Sequence, residues 1–175
     1  MRNDLKIRES FVSDAPAVER LYPHAFPGED LLPLVRDLTQ SRAIGISLVA
    51  TEDSKLVGHA ILTKCRVFGC SAIAALLGPV AVAPAFQRRG VGSALIRFGL
   101  QRMEAENVAL VCVLGDPAYY GRLGFAPESH VEPPFQLPSD WTDAWQSQYL
   151  DNSVGPCVGR LTVPPPWMRR ELWTP

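Results

Sequence analysis

Two arginines and two glycines stand where an apolar segment gives way to a helical pattern, at residues 87–92, Gln-Arg-Arg-Gly-Val-Gly. The first amides of a helix have no partner inside the helix and carry partial positive charge. A glycine-rich turn before such an end lets an anion approach the backbone, and Arg88 and Arg89 add positive charge. The spacing therefore predicts an anion site, with a helix start and ordinary surface arginines as the alternative interpretation.

Two well-known phosphate-binding motifs do not fit this 87–92 loop. A P-loop requires Gly-x-x-x-x-Gly-Lys-Ser/Thr, which does not occur in the chain. The dinucleotide fingerprint Gly-x-Gly-x-x-Gly lacks its third glycine, because Leu95 occupies that position, and the strand before it is not the first of the chain. The pattern Gln/Arg-x-x-Gly-x-Gly/Ala, in contrast, is matched at every position.

The chain resembles the GNAT superfamily of acyl-CoA-dependent N-acetyltransferases, and the 87–92 loop is one of three features that carry the resemblance. Residues 57–58, Val-Gly, match a pair that is common in the family's second hairpin strand. Residues 120–125 match the family's Tyr-x-x-x-Gly-Phe pattern. Residues 77–82 and 114–120 are also similar to a bacterial subgroup of predicted N-acetyltransferases.

The resemblance implies which coenzyme is used and which residues hold it. Acetyl-CoA is then the cosubstrate, the loop amides hold its pyrophosphate, and the backbone of the preceding strand binds the pantetheine arm. The coenzyme-binding residues implied in this way are Val80, Ala81, Val82, Gln87, Arg88, Arg89, Gly90, Val91, Gly92, Ser93, Asp116 and Tyr119. Asp116 has a local alternative, since a Gly-Asp-Pro turn also caps the helix that follows it.

Acetyl transfer to an amine requires a neutral amine, a well-positioned thioester and a stabilised leaving thiolate. A phenol is a suitable acid for that thiolate, because its ordinary pKa is about 10 and that of a thiol about 8.5. Tyr120 matches the family's general-acid tyrosine, so the resemblance implies a catalytic role for it. Tyr119 is the neighbouring rival, and simple packing beside the coenzyme is the alternative role for Tyr120.

No residue stands out as the general base. Residues 72–82 carry no ionisable side chain. His24, Glu29 and Asp30 lie near the loop between the first two helices, which borders the acceptor site in the family, and His59 lies on a strand. Each of these is expected to be a surface or structural residue. We therefore expect a water relay, or an amine that arrives partly neutral.

Hydrophobic periodicity predicts an ordered series of elements as far as residue 125. The predicted strands are 5–9, 46–51, 55–63, 72–82 and 108–114, with a hairpin turn at Asp53-Ser54. The first predicted helix begins at Ser13 or Asp14 and ends before Pro23, and further helices cover 31–38, 90–106 and 118–122. A break in strand pairing is expected near Gly78-Pro79, because proline donates no backbone hydrogen bond.

This order predicts an α/β fold, a GNAT-like mixed and mostly antiparallel sheet flanked by helices. The strands before and after the 90–106 helix run parallel through a right-handed crossover. The resemblance adds that the fourth and fifth strands splay apart. The chain of 175 residues is expected to be a single domain, with a core over 1–127 and a C-terminal extension rich in proline and aromatic residues over 128–175.

Composition and charge exclude several classes of function. The formal net charge is −1 and no basic stripe is present, so nucleic acid and membrane surfaces are not expected partners. The chain has no apolar run of about 18 residues and no apolar signal segment at its start, so a cytoplasmic location is expected. The four cysteines and three histidines lack metal-site spacing, which predicts reduced thiols and no metal.

The acceptor is the part of the function that the sequence determines least. A small-molecule amine and a polypeptide amine both remain open, as does a homodimer. In the extension, a helix over 140–145 and a strand over 158–163 are expected, and four aromatic residues either line an acceptor pocket or simply pack: Phe135, Trp141, Trp145 and Trp167. The alternative function is a non-catalytic acyl-CoA sensor or interaction module, which the missing base alone supports.

Overall fold

Alternating and continuous apolar segments form the β-strands of the computed structural model, which describes residues 4–41 and 44–175. The strands are β1 (Lys6–Glu9), β2 (Ile46–Glu52), β3 (Lys55–Val67), β4 (Ile73–Val82), β5 (Val108–Leu114), β6 (Ala126–Pro127), β7 (Val131–Glu132), β8 (Trp145–Tyr149) and β9 (Gly159–Thr162). The α-helices are α1 (Ala15–Ala25), α2 (Leu32–Gln40), α3 (Val91–Ala105) and α4 (Pro117–Gly121). Two compact units result: one reaches to Leu62 and includes Gly78–Gln101, and the other comprises Thr63–Leu77 and Arg102–Pro175.

The first unit is built on antiparallel strands. β1 pairs with β2, and β2 pairs with β3 across the predicted hairpin. Asp53 and Ser54 have φ values of 49° and 65°, and two successive positive φ angles give the tight turn whose twist suits a two-residue hairpin. Asp and Ser are short polar residues that tolerate this conformation, so the predicted hairpin is confirmed.

Helix α1 corrects one expectation, because it does not end before Pro23. Pro23 lies inside the helix, which continues to Ala25. A proline removes the hydrogen bond of its own missing N–H, and the cost is smaller near a helix end than in its middle. The amide of Phe26 still donates to the carbonyl of Tyr22 at 2.8 Å, so the last turn closes around the proline.

The break predicted in β4 is confirmed at the predicted residues. The peptide bond between Gly78 and Pro79 is cis. β4 pairs with β5 in parallel from Ile73 with Val108 to Leu76 with Cys112, and this pairing ends before Gly78 while β4 continues to Val82. The pairing of the fourth and fifth strands therefore ends where the splay was expected.

The second unit contains a strand that the sequence patterns do not show. β8 pairs antiparallel with β5, and β6 pairs with β8. Its residues include the polar Gln146 and Ser147, yet both are buried. The predicted helix at 140–145 is instead a 3-10 helix over Ser139–Ala144 that leads into β8, whereas the predicted last strand is confirmed as β9.

Three of the four tryptophans of the C-terminal extension form a cluster around Trp173. Trp173 lies 5.9 Å from Trp145 and 6.1 Å from Trp167, measured between ring centroids. The indole N–H of Trp167 donates to the hydroxyl of Thr63 at 3.1 Å, and that of Trp173 donates to the carbonyl of Trp167 at 2.9 Å. Of the two roles left open for the tail aromatics, Trp145 and Trp167 have the packing role.

The expectation of four reduced thiols is wrong for two of them. Cys70 and Cys157 form a disulfide, with Cα atoms 5.7 Å apart. They are 87 residues apart in the chain, and they meet because β9 pairs with the end of β3, Val67 opposite Leu161. Spacing along the sequence carries no information about such a long-range meeting. Cys65 and Cys112 are free and buried.

In the part of the chain that the structure describes, no helix is both long and apolar enough to cross a membrane. Over residues 4–41 and 44–175, no group of three or more His, Cys, Asp or Glu side chains is arranged to hold a metal ion.

Candidate functional site

The segment between β4 and α3 turns sharply and is held at both of its ends. The amide of Ala83 donates to the carbonyl of Val57 at 2.8 Å, and a 3-10 helix follows over Pro84–Phe86. The side-chain amide of Gln87 then reaches back to the carbonyl of Val82 at 3.0 Å. Gln87 therefore closes the end of β4, which fixes the direction in which the 87–92 loop leaves the strand.

The loop places free amides at the start of α3. Arg88 and Gly90 have φ values of 59° and 83°, and such alternation around a turn makes a concave surface of backbone N–H groups that suits an anion. The amide of Ala94 donates to the carbonyl of Gly90 at 2.9 Å. Because this is the first bond of the α-helical type, the amides of residues 91–93 precede it and have no acceptor within the helix.

The space at the Gly90 end of this amide seat, residues 90–93, is open. A side chain built at Gly90 would meet no atom within 4 Å, although its positive φ disfavours any residue with a Cβ. Gly90 is exposed, as are Gln87, Arg88 and Arg89. A phosphate group fits this donor set, because it has several acceptor oxygens and negative charge.

The two arginines of the loop differ in their surroundings. Arg89 pairs with the carboxylate of Glu52 at 2.9 Å, and its guanidinium lies 5.0 Å from the ring centroid of Phe86. Glu52 is only 5% exposed, so this pair ties the loop to the end of β2. Arg88 is exposed in the left-handed region. Arg89 therefore shapes the loop, and Arg88 is the cation presented to solvent.

Arg89→Ala is expected to lower the free energy of unfolding by about 1–2 kcal/mol, because the buried Glu52 carboxylate loses its partner. Arg88→Ala should change stability by less than about 0.5 kcal/mol. Urea unfolding of both variants measures the difference. Adding Glu52→Gln to Arg89→Ala should recover part of the loss, and equal stabilities for the two single variants would contradict the assignment.

In the second unit, Asp116 has the local role that was left open for it. Its carboxylate accepts a hydrogen bond from the amide of Ala118 at 2.9 Å and so caps α4. The backbone carbonyl of Asp116 accepts from the amides of Tyr119 and Tyr120 at 3.1 and 3.0 Å. The Gly-Asp-Pro turn therefore sets the start of the short helix that carries both tyrosines.

Tyr120 and Tyr119 point in different directions, as neighbours on a helix must. Their rings are 5.0 Å apart at 88°. Tyr120 also lies edge-on to Phe125 at 5.7 Å, whereas Tyr119 lies 5.8 Å from the guanidinium of Arg122. Burial raises the pKa of Tyr120, so its phenol stays protonated at neutral pH and is available as a donor.

Gly115 leaves the space that the ring of Tyr120 occupies. A Cβ at residue 115 would lie within 2.9 Å of the Cδ2 atom of Tyr120, closer than real contacts allow. Gly115 is itself held by the segment that leads into β8: its amide donates to the carbonyl of Ala144 at 2.9 Å, and its carbonyl accepts from Gln146 at 3.1 Å. Gly115 and Gln146 were not expected to matter, and only the pairing of β5 with β8 makes their role visible.

A cavity of about 320 Å³ lies in the first unit beside the loop between α1 and α2. Its lining residues are Tyr22, Pro23, Phe26, Pro27, Gly28, Glu29, Asp30, Leu31 and Leu32. Two of the three ionisable residues predicted near this loop, Glu29 and Asp30, therefore do line a cavity. His24 does not, and its Nδ1 contacts the carbonyl of Arg20 in its own helix at 2.8 Å.

His59 is fully buried and has a partner at each ring nitrogen. Its Nδ1 lies 2.7 Å from the hydroxyl of Tyr22, and its Nε2 lies 2.8 Å from the hydroxyl of Ser47. Burial lowers the pKa of His59 to about 4, so the ring is neutral at physiological pH. Of the two expected positions, surface and structural, the surface position is therefore excluded. His59 lies buried inside a polar network.

Comparison with protein families gives a match over most of the chain. The family model for the acetyltransferase (GNAT) domain matches residues 6–127. This chain belongs to the GNAT acetyltransferase family. The match begins at β1 and ends at β6, so it includes both the 87–92 loop and the tyrosine pair.

Curated relatives and solved structures agree with that membership. YjhQ of Escherichia coli strain K12, an uncharacterised N-acetyltransferase, is 30% identical over 161 residues, covering 88% of this chain and 89% of YjhQ. The crystal structure of the GNAT family N-acetyltransferase YhbS from Escherichia coli in complex with CoA has a TM-score of 0.87 at 25% identity, covering 97% of this chain and 94% of that one. A GNAT family acetyltransferase from Brucella melitensis in complex with acetyl-CoA has a TM-score of 0.75 at 26% identity, covering 95% and 99%.

These matches confirm the predicted GNAT family and fold. Within the fold, residues 80–82 and 87–93 belong to the first unit, whereas Asp116, Tyr119 and Tyr120 belong to the second. Glu52, which shapes the loop, and Gly115, which seats the tyrosine, are not among the residues that the sequence patterns single out. An acidic residue at a strand end and a glycine before a capping aspartate are common in sequences. Their roles are visible only once the structure shows the ion pair of Glu52 with Arg89 and the contact of Gly115 with Tyr120.

Proposed function

We propose that this GNAT protein transfers the acetyl group of acetyl-CoA to a primary amine, by direct attack while both substrates are bound. The observation that carries the proposal is the open amide seat at the start of α3, residues 90–93, together with membership of an acetyltransferase family. Relatives of the same fold have been crystallised with CoA and with acetyl-CoA. Direct attack gains chiefly from holding the amine and the thioester in a reactive geometry.

On the coenzyme side, the amides of residues 91–93 would hold the pyrophosphate and Arg88 would add charge near it. Val80 and Val82 are partly exposed and Ala81 is buried, so backbone groups of this strand are the donors and acceptors available to the pantetheine arm. The pairing of β4 with β5 ends before these residues, which leaves their backbone groups without that partner strand. Backbone donors of this kind also stabilise the oxyanion that forms at the thioester carbon.

On the leaving-group side, Tyr120 would donate its phenolic proton to the departing thiolate. Its ring is held between Gly115 and Phe125, and its raised pKa keeps the proton in place until the thiolate forms. Proton transfer from a positioned acid typically contributes about 10²–10⁴-fold to the rate. Tyr119 would instead contact the coenzyme.

The acceptor amine would enter the cavity beside the loop between α1 and α2, called here the acceptor cavity. Its lining combines the aromatic Tyr22 and Phe26 with the exposed carboxylates Glu29 and Asp30. Carboxylates at a cavity rim attract an ammonium group, and the aromatic walls suit an apolar substituent. A small amine and the α-amino group of a polypeptide both fit this description.

Acetyl-CoA is expected to raise the melting temperature. A ligand at about 100 times its Kd that binds only the folded state adds about 2.7 kcal/mol, roughly 5–10 °C for a chain of this size. The same experiment with an acetyl-pantetheine fragment, which lacks the pyrophosphate, should give a smaller shift, because the loop amides lose their ligand. Differential scanning fluorimetry measures all of these shifts.

Turnover separates an enzyme from an acyl-CoA sensor. Purified protein is incubated with acetyl-CoA and a panel of primary amines, and free CoA thiol is measured with a thiol reagent. Amine-dependent release of CoA supports the transferase. A thermal shift without release for any amine would favour the sensor, and the absence of a thermal shift at millimolar acetyl-CoA would contradict both.

A further inference from the structure

We propose that Tyr22, His59, Ser47 and Ser10 form a proton wire that carries the proton of the acceptor amine away from the acceptor cavity to solvent. The proposal rests on the proposed function, because only a neutral amine attacks a thioester and most amines arrive protonated. The chain has no ionisable side chain in residues 72–82 that would take this proton. A continuous line of polar groups inside the first unit supplies the missing route.

The four residues are joined by three short hydrogen bonds. The hydroxyl of Tyr22 lies 2.7 Å from His59 Nδ1, and His59 Nε2 lies 2.8 Å from the hydroxyl of Ser47. The hydroxyl of Ser10 in turn donates to that of Ser47 at 2.8 Å. Three of the residues come from α1, β3 and β2, and Ser10 directly follows β1, so the line crosses the unit from a helix to the first strand.

The line joins two cavities of the same unit. Tyr22, at one end, lines the acceptor cavity of about 320 Å³. His59, Ser47 and Ser10 line a second cavity of about 410 Å³ that α1 and α2 cover. Tyr22 is 1% exposed, whereas Ser47 and Ser10 are partly exposed, so the line runs from a closed end to an open one.

Each group along the line accepts one proton and releases another. An ammonium in the acceptor cavity passes its proton to the Tyr22 oxygen as the Tyr22 proton moves to His59 Nδ1. The Nε2 proton of His59 moves to Ser47. The two serine hydroxyls rotate so that Ser47 donates to Ser10, the Ser47 proton moves to Ser10, and the Ser10 proton moves to water. One N–H bond of the substrate is broken, one proton reaches solvent and every relay group ends neutral. Rotation of the hydroxyls and a flip of the imidazole ring then restore the first arrangement.

The charged side chains around the second cavity are held in ion pairs. Asp14 is paired with Arg8 at 2.7 Å, and this hydrogen bond holds the pKa of the Asp14 carboxyl below its usual range. Glu19 of α1 is paired with Arg36 of α2, also at 2.7 Å. Both nitrogens of His59 bond to neutral hydroxyls, and the low pKa of its ring means that it passes a proton on rather than storing it.

A purely structural network would consist of the same bonds, so the test must respond to the protonation of the amine. We would measure kcat/KM with acetyl-CoA and amino acid amides, whose α-amino groups titrate near pH ~8. Tyr22→Phe and Ser47→Val are expected to lower kcat/KM by about ten- to a hundredfold below the pKa of the amine, since part of a base's usual contribution is lost. Above that pKa, the amine arrives neutral and the variants should approach the wild type.

Matched variants separate the wire from general damage. Ser47→Thr keeps the hydroxyl at nearly the size of valine and should retain the wild-type pH profile. Thr39→Val removes a hydroxyl that lines the same cavity but donates to the carbonyls of Val35 and Arg36 in its own helix, so it should have no effect. The Kd of acetyl-CoA should be unchanged in all four variants.

The outcomes distinguish the two proposals. A loss confined to low pH for Tyr22→Phe and Ser47→Val, with Ser47→Thr active, supports the wire. Equal losses at all pH values, or none, would overturn the wire while the transferase stands. If the wild type acetylates no amine in a panel that includes these amides, both the proposed function and the wire are wrong.

Discussion

In the Gly92→Glu variant, acetyl-CoA at about 100 times its wild-type Kd is expected to leave the melting temperature unchanged, whereas the wild type gains about 2.7 kcal/mol. Residue 92 lies in the first turn of α3, beside the amides that the helix leaves without an acceptor. A carboxylate there takes up the space of the phosphate and repels it. The fold should persist, because an acidic side chain in a first turn is favourable to the helix dipole.

Three controls show whether charge, bulk or a nearby cation decides binding. Gly92→Ala should bind acetyl-CoA, since the loop pattern of the GNAT family accepts alanine at this position. Gly92→Gln has the size of glutamate without its charge and should bind more weakly than the wild type but better than Gly92→Glu. Arg88→Ala should lose about fivefold or less in affinity, as exposed ion pairs are worth at most about 1 kcal/mol.

Gly90→Glu is a less informative variant than Gly92→Glu. It adds the same charge, but the φ of 83° at Gly90 strains any residue with a side chain, so loss of binding would have two causes. If Arg88→Ala removes binding while Gly92→Glu retains it, the coenzyme is held by side chains and the amide seat is the wrong explanation.

Tyr120→Phe is expected to lower kcat by about 10²–10⁴-fold while the Kd of acetyl-CoA stays close to that of the wild type. The phenylalanine ring still fills the space beside Gly115 and Phe125, so only the proton donor is removed. The loss should shrink with an acyl donor whose thiol is more acidic, because a better leaving group needs less protonation. Steady-state rates and a separate binding measurement on the same acceptor give both quantities.

Tyr119→Phe is the matched control, one residue away and of the same chemistry. Its ring lies near Arg122, at 88° to the ring of Tyr120, and its hydroxyl should be nearly silent in kcat. Unchanged turnover in Tyr120→Phe, or a greater loss in Tyr119→Phe, would move the acid role to Tyr119 or to water. Equal losses in both would point to damage of α4 rather than loss of an acid.

The sequence alone determined the features that depend on neighbouring residues. β5 was predicted over residues 108–114, where the structure places it, because a continuous apolar run ends there at a turn of Gly115, Asp116 and Pro117. The hairpin at Asp53-Ser54 and the break at Gly78-Pro79 likewise follow from local backbone preferences. The amide seat is also local, since residues 87–94 form it from a turn and the first bond of a helix.

The features that were wrong or missing depend on tertiary packing. Pro23 was expected to end α1. The amide of Phe26 still donates to the carbonyl of Tyr22 and closes the last turn, so the packed helix tolerates the bond that the proline cannot make. The sequence of β8 shows no apolar pattern because it includes the polar Gln146 and Ser147. Their burial depends on the pairing of β8 with β5, and Gln146 also donates to the carbonyl of Gly115. The disulfide of Cys70 with Cys157 required strands far apart in the chain to pair.

The site divides in the same way. The sequence alone identified the residues of the 87–92 loop and the tyrosine pair, because each is a short motif. Arg89 pairs with Glu52, and His59 hydrogen-bonds to Tyr22. In each case the two residues are 37 positions apart in the chain. A single sequence records which side chains are present, but only the folded chain brings such distant groups within 3 Å of one another and excludes the water that would otherwise compete for their hydrogen bonds.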